Sequence, residues 1–302
     1  MGRVLVHLVM NRTLLEQKQV FEQALATLVE SDELTTFFLI LLEYRHQLKR
    51  IDLVLQPQFE LQTEDCIFWD EAIIRLQHHE PIQYIVEEAW FYGRKFKVQP
   101  GVLIPRPETE ELVSWILEDT QKSQMSNHRL LEIGSGSGCI PITLKTEGYI
   151  GKVESWDVSP QAHAIAKENA TKLNVLVDFK IQDIYTAPTQ SAPYNLLVSN
   201  PPYVRISEKS EMKPNVLAYE PELALFVSDQ DPLSFYRQIA LFGAQNLVSG
   251  GMIFFEINQY LSQETVALLQ NLGYQNLQVR KDFRGNDRMI RATWITHNAT
   301  LQ

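Results

Sequence analysis

The sequence predicts an α/β protein in which a doubly wound sheet of seven strands follows a small helical domain. Short apolar runs alternate with helical stretches from residue 130 onward, a pattern typical of a mostly parallel sheet with helices on both faces. The first 83 residues instead carry apolar side chains at helical spacing and contain no glycine after Gly2. Between these regions, two aromatic and β-branched runs indicate a β-hairpin that joins them.

The helical domain is predicted over residues 1–83. A chain of 302 residues with 45% apolar content is long enough for one ordinary domain and a smaller one. The apolar run Val4 to Met10 is assigned to the first helical region, since the small-residue cleavage site of a signal peptide does not follow it. Pro81 is expected to end the last helix, because a proline disfavours helical geometry in the residue before it.

The hairpin linker is predicted over residues 84–103, from the runs Tyr84 to Val86 and Ala89 to Val98. The larger domain is expected to occupy residues 104–302. Near its start, Pro105 to Glu111 places proline and acidic residues where a helix N-terminus prefers them. The amphipathic helix that follows should cover the sheet.

Seven apolar runs are the predicted strands of the sheet. The last two flank the segment Asp282 to Arg288 and are predicted to form a terminal hairpin. The runs are Leu130 to Ile133, Lys152 to Trp156, Val177 to Ile181, Leu196 to Ser199, Met252 to Ile257, Gln278 to Arg280 and Met289 to Trp294.

Charge and cysteine content narrow the possible functions. The net charge of -10 repels phosphate backbones, so nucleic acid is disfavoured as a direct partner. Cys66 and Cys139 are far apart and have no metal-ligand spacing, which predicts neither a disulfide framework nor a metal site. No apolar stretch approaches the roughly 20 residues that cross a bilayer. We therefore expect a cytoplasmic protein that does not insert into membranes.

A glycine-rich turn follows the first strand of the predicted sheet. The segment contains Glu132, Gly134, Ser135, Gly136, Ser137 and Gly138 and leads into a helix near Cys139. It lacks the Gly-Lys-Ser/Thr of a phosphate loop, and its glycine spacing fits a dinucleotide fingerprint poorly. Glu132 would be unfavourable beside phosphate, but it could favour the ammonium group of a methionine moiety. These features predict that the loop and Glu132 bind S-adenosylmethionine; a simple tight turn remains the alternative.

Two further strand ends carry carboxylates. Asp157 ends the second strand, where a carboxylate can accept hydrogen bonds from both hydroxyls of a ribose. Asp183 and Ile184 follow the third strand, where Asp183 could accept from an adenine amino group while Ile184 packs on the ring. A helix N-cap is the other interpretation of Asp183.

The end of the fourth strand carries Asn200-Pro201-Pro202-Tyr203. The two prolines fix the backbone, so that the Asn200 side-chain oxygen and the Pro201 carbonyl can both accept from one external NH2 group. Tyr203 can stack on a flat substrate group. This geometry predicts methylation of a conjugated NH2 by in-line displacement, favoured by positioning of the reacting atoms.

These residues carry a family resemblance: the chain resembles release factor glutamine methyltransferases over nearly its whole length. The motifs that carry it are Gly101 to Glu110, Gly134 to Gly138, Val198 to Tyr203, Tyr219 to Leu225 and Lys281 to Arg288. The Ile-Pro-Arg-Pro-Glu-Thr-Glu stretch within the first motif distinguishes this family from adenine methyltransferases, which share only the Asn-Pro-Pro-Tyr element.

The resemblance implies a Rossmann-like methyltransferase sheet and a protein substrate. The substrate would be the glutamine of the Gly-Gly-Gln loop of class I peptide chain release factors, methylated on its side-chain nitrogen. The helical domain would grip the factor. The family's cofactor contacts correspond to Gly134 to Gly138, Asp157, Ile184 and Asn200, and Asn200 to Tyr203 would hold the glutamine amide. Arg106, Glu108, Thr109 and Glu110 would either close over the site or cap a helix.

The chain departs from the family pattern at two positions. A glycine usually follows the Gln-Tyr-Ile stretch, where this chain has Val86-Glu87-Glu88, and the glycine after the late strand is replaced by Asn258. We expect neither change to touch the chemistry.

Two alternative functions remain. An adenine methyltransferase acting on RNA or DNA would present the same conjugated NH2 to Asn200 and Tyr203, although no basic block is visible to bind nucleic acid. A module that binds the cofactor without catalysis is the second alternative, and the intact Asn200 to Tyr203 motif argues against it.

Overall fold

The computed structural model describes residues 11–121, 128–190 and 192–296. The predicted helical run Val4 to Met10 lies outside these residues. The chain divides into two compact units. The helical unit comprises Met1–Glu87 and Pro214–Tyr219, and the α/β unit comprises Glu88–Lys213 and Glu220–Gln302.

The helical unit begins its first helix at a capping box. Thr13 accepts the Glu16 N–H through its hydroxyl, and the Glu16 carboxylate accepts the Thr13 N–H at 2.7 Å, which satisfies two donors that a helix start leaves unpaired. The helices of this part of the chain are α1 Leu14–Leu25, α2 Ser31–His46, α3 Asp52–Leu55, α4 Thr63–Gln77 and α5 Ile82–Ile85.

Aromatic side chains form the centre of the helical core. Phe38 of α2 stacks on Trp69 of α4 with 4.8 Å between ring centroids, and Phe21 of α1 meets both rings edge-on. All three side chains are buried. Since full burial of a large apolar side chain stabilises a fold by about 1.5–3 kcal/mol, this cluster holds the three helices together.

The last long helix of this unit ends before the position predicted from Pro81. Helix α4 ends at Gln77, and the Glu80 N–H bonds to the Arg75 carbonyl at 3.0 Å. The Arg75 guanidinium also pairs with the Glu80 carboxylate at 2.6 Å. These two contacts close the chain into a turn, so the helix has already ended when the chain reaches Pro81.

The strand predicted at Tyr84 to Val86 is wrong, because this segment forms helix α5 and its C-cap. Ile82, Tyr84 and Ile85 are all buried there. A short apolar run does not distinguish a strand from a buried helical turn, and here the helical turn forms.

The α/β unit begins with a hairpin formed entirely by the second of the two predicted runs. Strands β1 Glu88–Phe91 and β2 Arg94–Lys97 pair antiparallel, with Phe91 opposite Arg94. The two turn residues, Tyr92 and Gly93, have φ of 50° and 72°. Positive φ at both central positions matches the twist of a tight hairpin.

The main sheet has seven strands in the order β10-β11-β9-β6-β3-β4-β5. Strand β11 runs antiparallel to both of its neighbours, and the other pairs are parallel. The sequence prediction of a doubly wound seven-stranded sheet is confirmed. The strands are β3 Arg129–Ile133, β4 Lys152–Asp157, β5 Asp178–Ile181, β6 Tyr194–Ser199, β9 Leu247–Glu256, β10 Tyr274–Lys281 and β11 Asp287–Trp294.

Helices cover both faces of this sheet. Successive side chains of a strand point to opposite faces. Phe254 of β9 accordingly meets Trp115 edge-on at 5.6 Å on one face, whereas Phe255 meets Tyr236 at 5.2 Å on the other. The helices of this part of the chain are α6 Pro107–Gln121, α7 Cys139–Thr146, α8 Pro160–Lys172, α9 Pro214–Tyr219, α10 Glu222–Leu225, α11 Ser234–Asn246 and α12 Ser262–Asn271, of which α9 belongs to the helical unit.

Short elements complete the α/β unit after the fourth strand. Strands β7 Val204–Arg205 and β8 Phe226–Val227 pair in parallel, and 3-10 turns occupy Ile206–Glu211 and Gln259–Leu261. Cys66 and Cys139 are both buried, and neither forms a disulfide. Within the described ranges, we find no helix long and apolar enough to span a bilayer. The same residues contain no cluster of three potential metal-ligating side chains.

Candidate active site

The carboxyl ends of four neighbouring strands surround one cavity. Strands β3, β4, β5 and β6 lie side by side, and ligands of open α/β sheets bind at this edge. The cavity has a volume of about 280 Å³. Its lining comprises Gly101, Val102, Leu103, Ile133, Gly134, Gly136, Trp156, Asp157, Val158, Ser159, Ala162, Gln182, Asp183, Ile184, Ser199, Asn200, Pro201, Pro202, Pro221, Leu223, Ala224, Phe235 and Ile239.

The glycines of the loop after β3 serve different purposes. Gly134, Gly136 and Gly138 all have positive φ, of 90°, 52° and 78°. A Cβ at Gly136 would meet nothing within 4 Å, so this glycine leaves open space at the cavity wall. A Cβ at Gly138 would lie 3.0 Å from Ile142 and 3.1 Å from the Ala166 Cβ, so this glycine permits close packing of the following helices.

Asp157 joins the glycine loop to the second strand end. Its Oδ2 accepts the Gly136 N–H at 2.9 Å, and its Oδ1 accepts the Ser159 N–H at 2.8 Å. Burial raises the pKa of the Asp157 carboxyl, although these two N–H groups act in the opposite direction. The carboxylate is therefore held in a fixed orientation at the cavity wall.

Asp183 and Ile184 lie together on the same wall. The Asp183 Oδ1 accepts the Tyr185 N–H at 2.9 Å, and the chain from 184 forms a turn rather than a helix. Asp183 therefore closes a turn and is not a helix N-cap. Ile184 is buried, and Phe235 and Ile239 line the cavity with it.

Glu132 lies behind the loop and is not part of the cavity lining. It is 1% exposed, and the Ser155 hydroxyl donates to its Oε2 at 2.5 Å. The Ser155 hydroxyl is also 2.6 Å from the Ser135 hydroxyl. Burial raises the pKa of Glu132 well above its ordinary value, opposed by the Ser155 hydrogen bond and reinforced by the Asp157 charge. Its contact with a methionine ammonium stays a prediction.

The structure brings most of the residues predicted for the site to one cavity. Ser135, Ser137, Gly138 and Tyr203 lie outside the lining, as Glu132 does. The predicted residues that line the cavity are Gly134, Gly136, Asp157, Asp183, Ile184, Asn200, Pro201 and Pro202.

Asn200 and Tyr203 are connected through buried polar groups. The Asn200 Nδ2 donates to the Thr109 hydroxyl at 3.2 Å, and that hydroxyl donates to the Glu256 Oε2 at 2.6 Å. The Tyr203 hydroxyl donates to the Glu256 Oε1 at 2.9 Å. Burial raises the pKa of the Glu256 carboxyl, and both hydroxyl donors counteract this.

Asn258, one of the two departures from the family pattern, contacts the backbone of the reactive motif. The Asn258 Nδ2 donates to the Tyr203 carbonyl and to the Glu208 Oε2, both at 2.9 Å. A glycine at this position would have no side chain to make these contacts. This departure from the family pattern therefore adds a support to the turn that carries Tyr203.

The segment from Arg106 to Glu110 does more than cap helix α6. Thr109 contacts Asn200, whereas the Glu110 carboxylate accepts the Tyr92 N–H of the hairpin at 2.7 Å. The Arg106 guanidinium pairs with Glu220 at 2.5 Å, and Glu220 also accepts the Ile104 N–H at 3.1 Å. The Glu108 carboxylate lies 3.8 Å from the Arg284 guanidinium.

Some residues that line the cavity carried no clear sequence signal. Phe235 and Ile239 line the cavity from helix α11, where they look like ordinary apolar helix positions. Glu256 did carry one, because a charged residue inside the apolar run that forms β9 is rarely buried without a partner. Leu223 lines the cavity yet is 63% exposed, which places it at the mouth.

Two family models match the chain. The PrmC N-terminal domain matches residues 15–86, within the helical unit. The methyltransferase small domain matches residues 109–218, a range that includes the glycine loop, Asp157 and Asn200.

The sequences of two named relatives align with most of the chain. The release factor glutamine methyltransferase of Flavobacterium psychrophilum is 46% identical over 275 residues, covering 91% of this chain and 96% of that protein. The enzyme of the same name from Bacteroides thetaiotaomicron is 47% identical over 242 residues, covering 80% and 84%.

The fold is also that of solved methyltransferases. The structure of T. thermophilus 16S rRNA N2 G1207 methyltransferase resembles this one with a TM-score of 0.50 and 18% identity, over 68% of this chain and 49% of that chain. At this identity the likeness concerns the fold alone. The identity to the named relatives, over most of both proteins, shows that the chain belongs to the release factor glutamine methyltransferase family.

Proposed function

We propose that this protein transfers a methyl group from S-adenosylmethionine to the side-chain amide nitrogen of the glutamine in the Gly-Gly-Gln loop of class I peptide chain release factors. One observation carries the proposal. Asn200, Pro201 and Pro202 line the same cavity as Gly136 and Asp157. A methyl-accepting group held by Asn200, Pro201 and Pro202 would therefore lie next to a methyl donor. Gly136 and Asp157 would hold that donor.

The cavity residues fit S-adenosylmethionine. Open space at Gly136 lets a ligand approach the backbone closely, and Asp157 is oriented by two N–H groups while keeping lone pairs for ribose hydroxyls. Asp183 and Ile184 offer a carboxylate and an apolar surface for an adenine ring. When bound, this cofactor supplies an electrophilic methyl group on a sulfonium.

Hydrogen bonds to Asn200 and Pro201 would counter the low nucleophilicity of an amide nitrogen. The amide lone pair is delocalised into the carbonyl and must leave the plane to attack a methyl group. Oxygens of Asn200 and Pro201 that accept both hydrogens of the NH2 group would favour the pyramidal nitrogen and face its lone pair toward the methyl group. They would also stabilise the positive charge that develops on nitrogen.

A strong base is not required on this route. The methylated nitrogen is acidic enough to lose its extra proton to water, and the prolines remove backbone donors that would oppose the developing positive charge. Tyr203 lies outside the cavity lining, so its stacking on the substrate stays a prediction. We further propose that the helical unit, matched by the PrmC N-terminal domain model, contributes to docking the release factor.

The proposal is tested by incubating the purified protein with labelled S-adenosylmethionine and one of three acceptors. These are a class I release factor, its variant with the loop glutamine changed to alanine, and RNA. We expect label only on the unchanged factor, because an acidic protein with net charge -10 attracts RNA poorly. Label on RNA, or equal label on the loop variant, would overturn the assigned substrate.

A further inference from the structure

We infer that Thr109 and Glu256 are positioning residues, which orient the Asn200 amide so that its oxygen, and not its NH2 end, faces the substrate. This inference rests on the proposed function for its effect on methyl transfer. The three side chains form one chain of hydrogen bonds, from the Asn200 Nδ2 to the Thr109 hydroxyl and on to the Glu256 carboxylate.

The direction of this chain follows from counting protons. A threonine hydroxyl has one proton to donate, and an ionised carboxylate can only accept. The Thr109 hydroxyl donates its one proton in the hydrogen bond to Glu256, at 2.6 Å. Thr109 therefore has only lone pairs left for Asn200. Only the NH2 end of the Asn200 amide can donate to those lone pairs, which leaves its oxygen for the substrate.

The opposite orientation of the amide would defeat the reaction. The NH2 end of Asn200 would then face the substrate NH2 group, so that two donors met and no acceptor held the hydrogens of the nitrogen. Asparagine oxygen and nitrogen have nearly the same shape, so packing alone selects weakly between the two orientations. Thr109, which can only accept from Asn200, selects the orientation in which the NH2 end of the amide faces Thr109.

The same carboxylate holds the other side chain of the reactive motif. Tyr203 donates to the Glu256 oxygen that Thr109 does not use, at 2.9 Å. Glu256 is 1% exposed and Thr109 is 2% exposed, so water does not compete for these bonds. Burial raises the pKa of the Glu256 carboxyl, and the Thr109 and Tyr203 hydroxyls and the charge of the Arg288 guanidinium, which donates to the Ile257 carbonyl, oppose this rise.

The first test compares Thr109→Val with Thr109→Ser. Valine keeps the shape of threonine and removes the acceptor, whereas serine keeps the hydroxyl. We expect Thr109→Val to lower kcat by about tenfold or more, with the cofactor Kd unchanged within about twofold, because misplaced reacting groups cost turnover. Thr109→Ser should retain kcat within about threefold. Equal losses in both variants would contradict the inference.

A double-mutant cycle with Asn200→Ala separates positioning from general structural damage. If Thr109 acts through Asn200, then adding Thr109→Val to Asn200→Ala should change the single-turnover rate by less than about twofold. The same loss in both backgrounds would show that Thr109 acts on the fold and not through the amide.

A second measurement does not depend on the substrate. In protein labelled with 15N-asparagine, the side-chain NH2 signals of Asn200 are assigned by their loss in Asn200→Ala. We expect slow hydrogen exchange of these protons in the unchanged protein and in Thr109→Ser, and at least tenfold faster exchange in Thr109→Val. Unchanged exchange would overturn the inference even if the release factor proved not to be the substrate, whereas failure of methyl transfer alone would overturn only the proposed function.

Discussion

At the scale of single residues, hydrogen-bond partners fix the position of the carboxylate side chains in and behind the cavity wall. Asp157 is a half-buried carboxylate and Glu256 a buried one, and each accepts from two donors of the protein. Asp157 lines the cavity, whereas Glu256 lies outside the lining and accepts from Thr109 and Tyr203. The same chemical group therefore occupies two different settings, one at the cavity wall and one behind it.

Asn200→Ala should reduce turnover much more than cofactor affinity. The substitution removes an oxygen that accepts from the reacting nitrogen chiefly in the transition state, so we expect kcat to fall by about 10²- to 10³-fold. Measurement of kcat and of the cofactor Kd for both proteins checks this. Turnover within threefold of the unchanged protein would place the reactive centre elsewhere.

Asp157→Asn should weaken cofactor binding. The NH2 end of an asparagine would face the N–H of Gly136 or of Ser159, leaving one of them without its acceptor, and the charged partner of the ribose is lost. Since hydrogen bonds to charged groups contribute about 1.5–3 kcal/mol, we expect the Kd to rise roughly 10- to 100-fold by calorimetry. The control is Asp178→Asn, because that side chain is 64% exposed and pairs with Lys180. An equal rise in the control would contradict the assignment.

Residue types at strand ends predicted much of the cavity wall, but not the positions of all side chains. Asp157 and Asn200 were identifiable because both follow apolar strands that had to end at the same edge. Glu132 sits two positions before Gly134, the first loop glycine, yet its side chain lies behind the loop with Ser155. Which face of a strand a carboxylate takes depends on partners from neighbouring strands, and one sequence does not show them.

At the scale of elements, period and composition predicted the strands well and the short connections poorly. All seven strands of the sheet overlap predicted apolar runs. Strand β9 nevertheless starts at Leu247, five positions before the predicted Met252, because the Gly250-Gly251 pair interrupts the apolar pattern without ending the strand. The failed strand at Tyr84 to Val86 has the opposite cause, since its apolar run is too short to show a period.

Glu87→Gly should stabilise the helical unit. Glu87 has φ of 53° and lies in Val86-Glu87-Glu88, the segment in which the family usually has a glycine. A left-handed conformation costs a residue with a Cβ roughly 1–2 kcal/mol, partly offset by the greater freedom of glycine in the unfolded chain, so we expect a gain of about 0.5–1 kcal/mol. Asn174→Gly is the control, because Asn174 has φ of 54° but asparagine tolerates this conformation. Chemical unfolding measures both, and no gain at Glu87 would mean that its backbone is not strained.

At the scale of the whole molecule, the division into two units was visible from composition, but the membership of one segment was not. Helix α9, Pro214–Tyr219, belongs to the helical unit although it follows the reactive motif in sequence. The Tyr219 hydroxyl donates to the His78 carbonyl at 3.0 Å, a pairing between residues 141 positions apart. Periodicity reports local structure only, so it cannot assign a short segment to a distant partner.

Carboxyl groups near the carboxyl edge of the sheet also make the stability of the α/β unit depend on pH. Burial raises the pKa of Glu132, Asp157 and Glu256, all near the carboxyl edge of the sheet. A carboxyl with a raised pKa in the folded state binds its proton where the unfolded chain has already lost it. By linkage, each such group contributes stability at low pH that is lost as pH rises through its folded pKa.

Glu132→Gln should therefore become relatively more stable as pH increases. Glutamine keeps an oxygen for the Ser155 hydroxyl but carries no buried charge. In cofactor-free protein, we expect the unfolding free energy of the variant minus that of the unchanged protein to increase between about pH 5 and pH 8. His46 and His128, whose pKa values burial lowers, have the opposite pH dependence, but they are common to both proteins and cancel in the difference. Glu211→Gln, at an exposed position, controls for the change in net charge. Urea unfolding at a series of pH values gives both differences; a flat or falling difference for Glu132→Gln would show that this carboxyl does not hold its proton in the folded state.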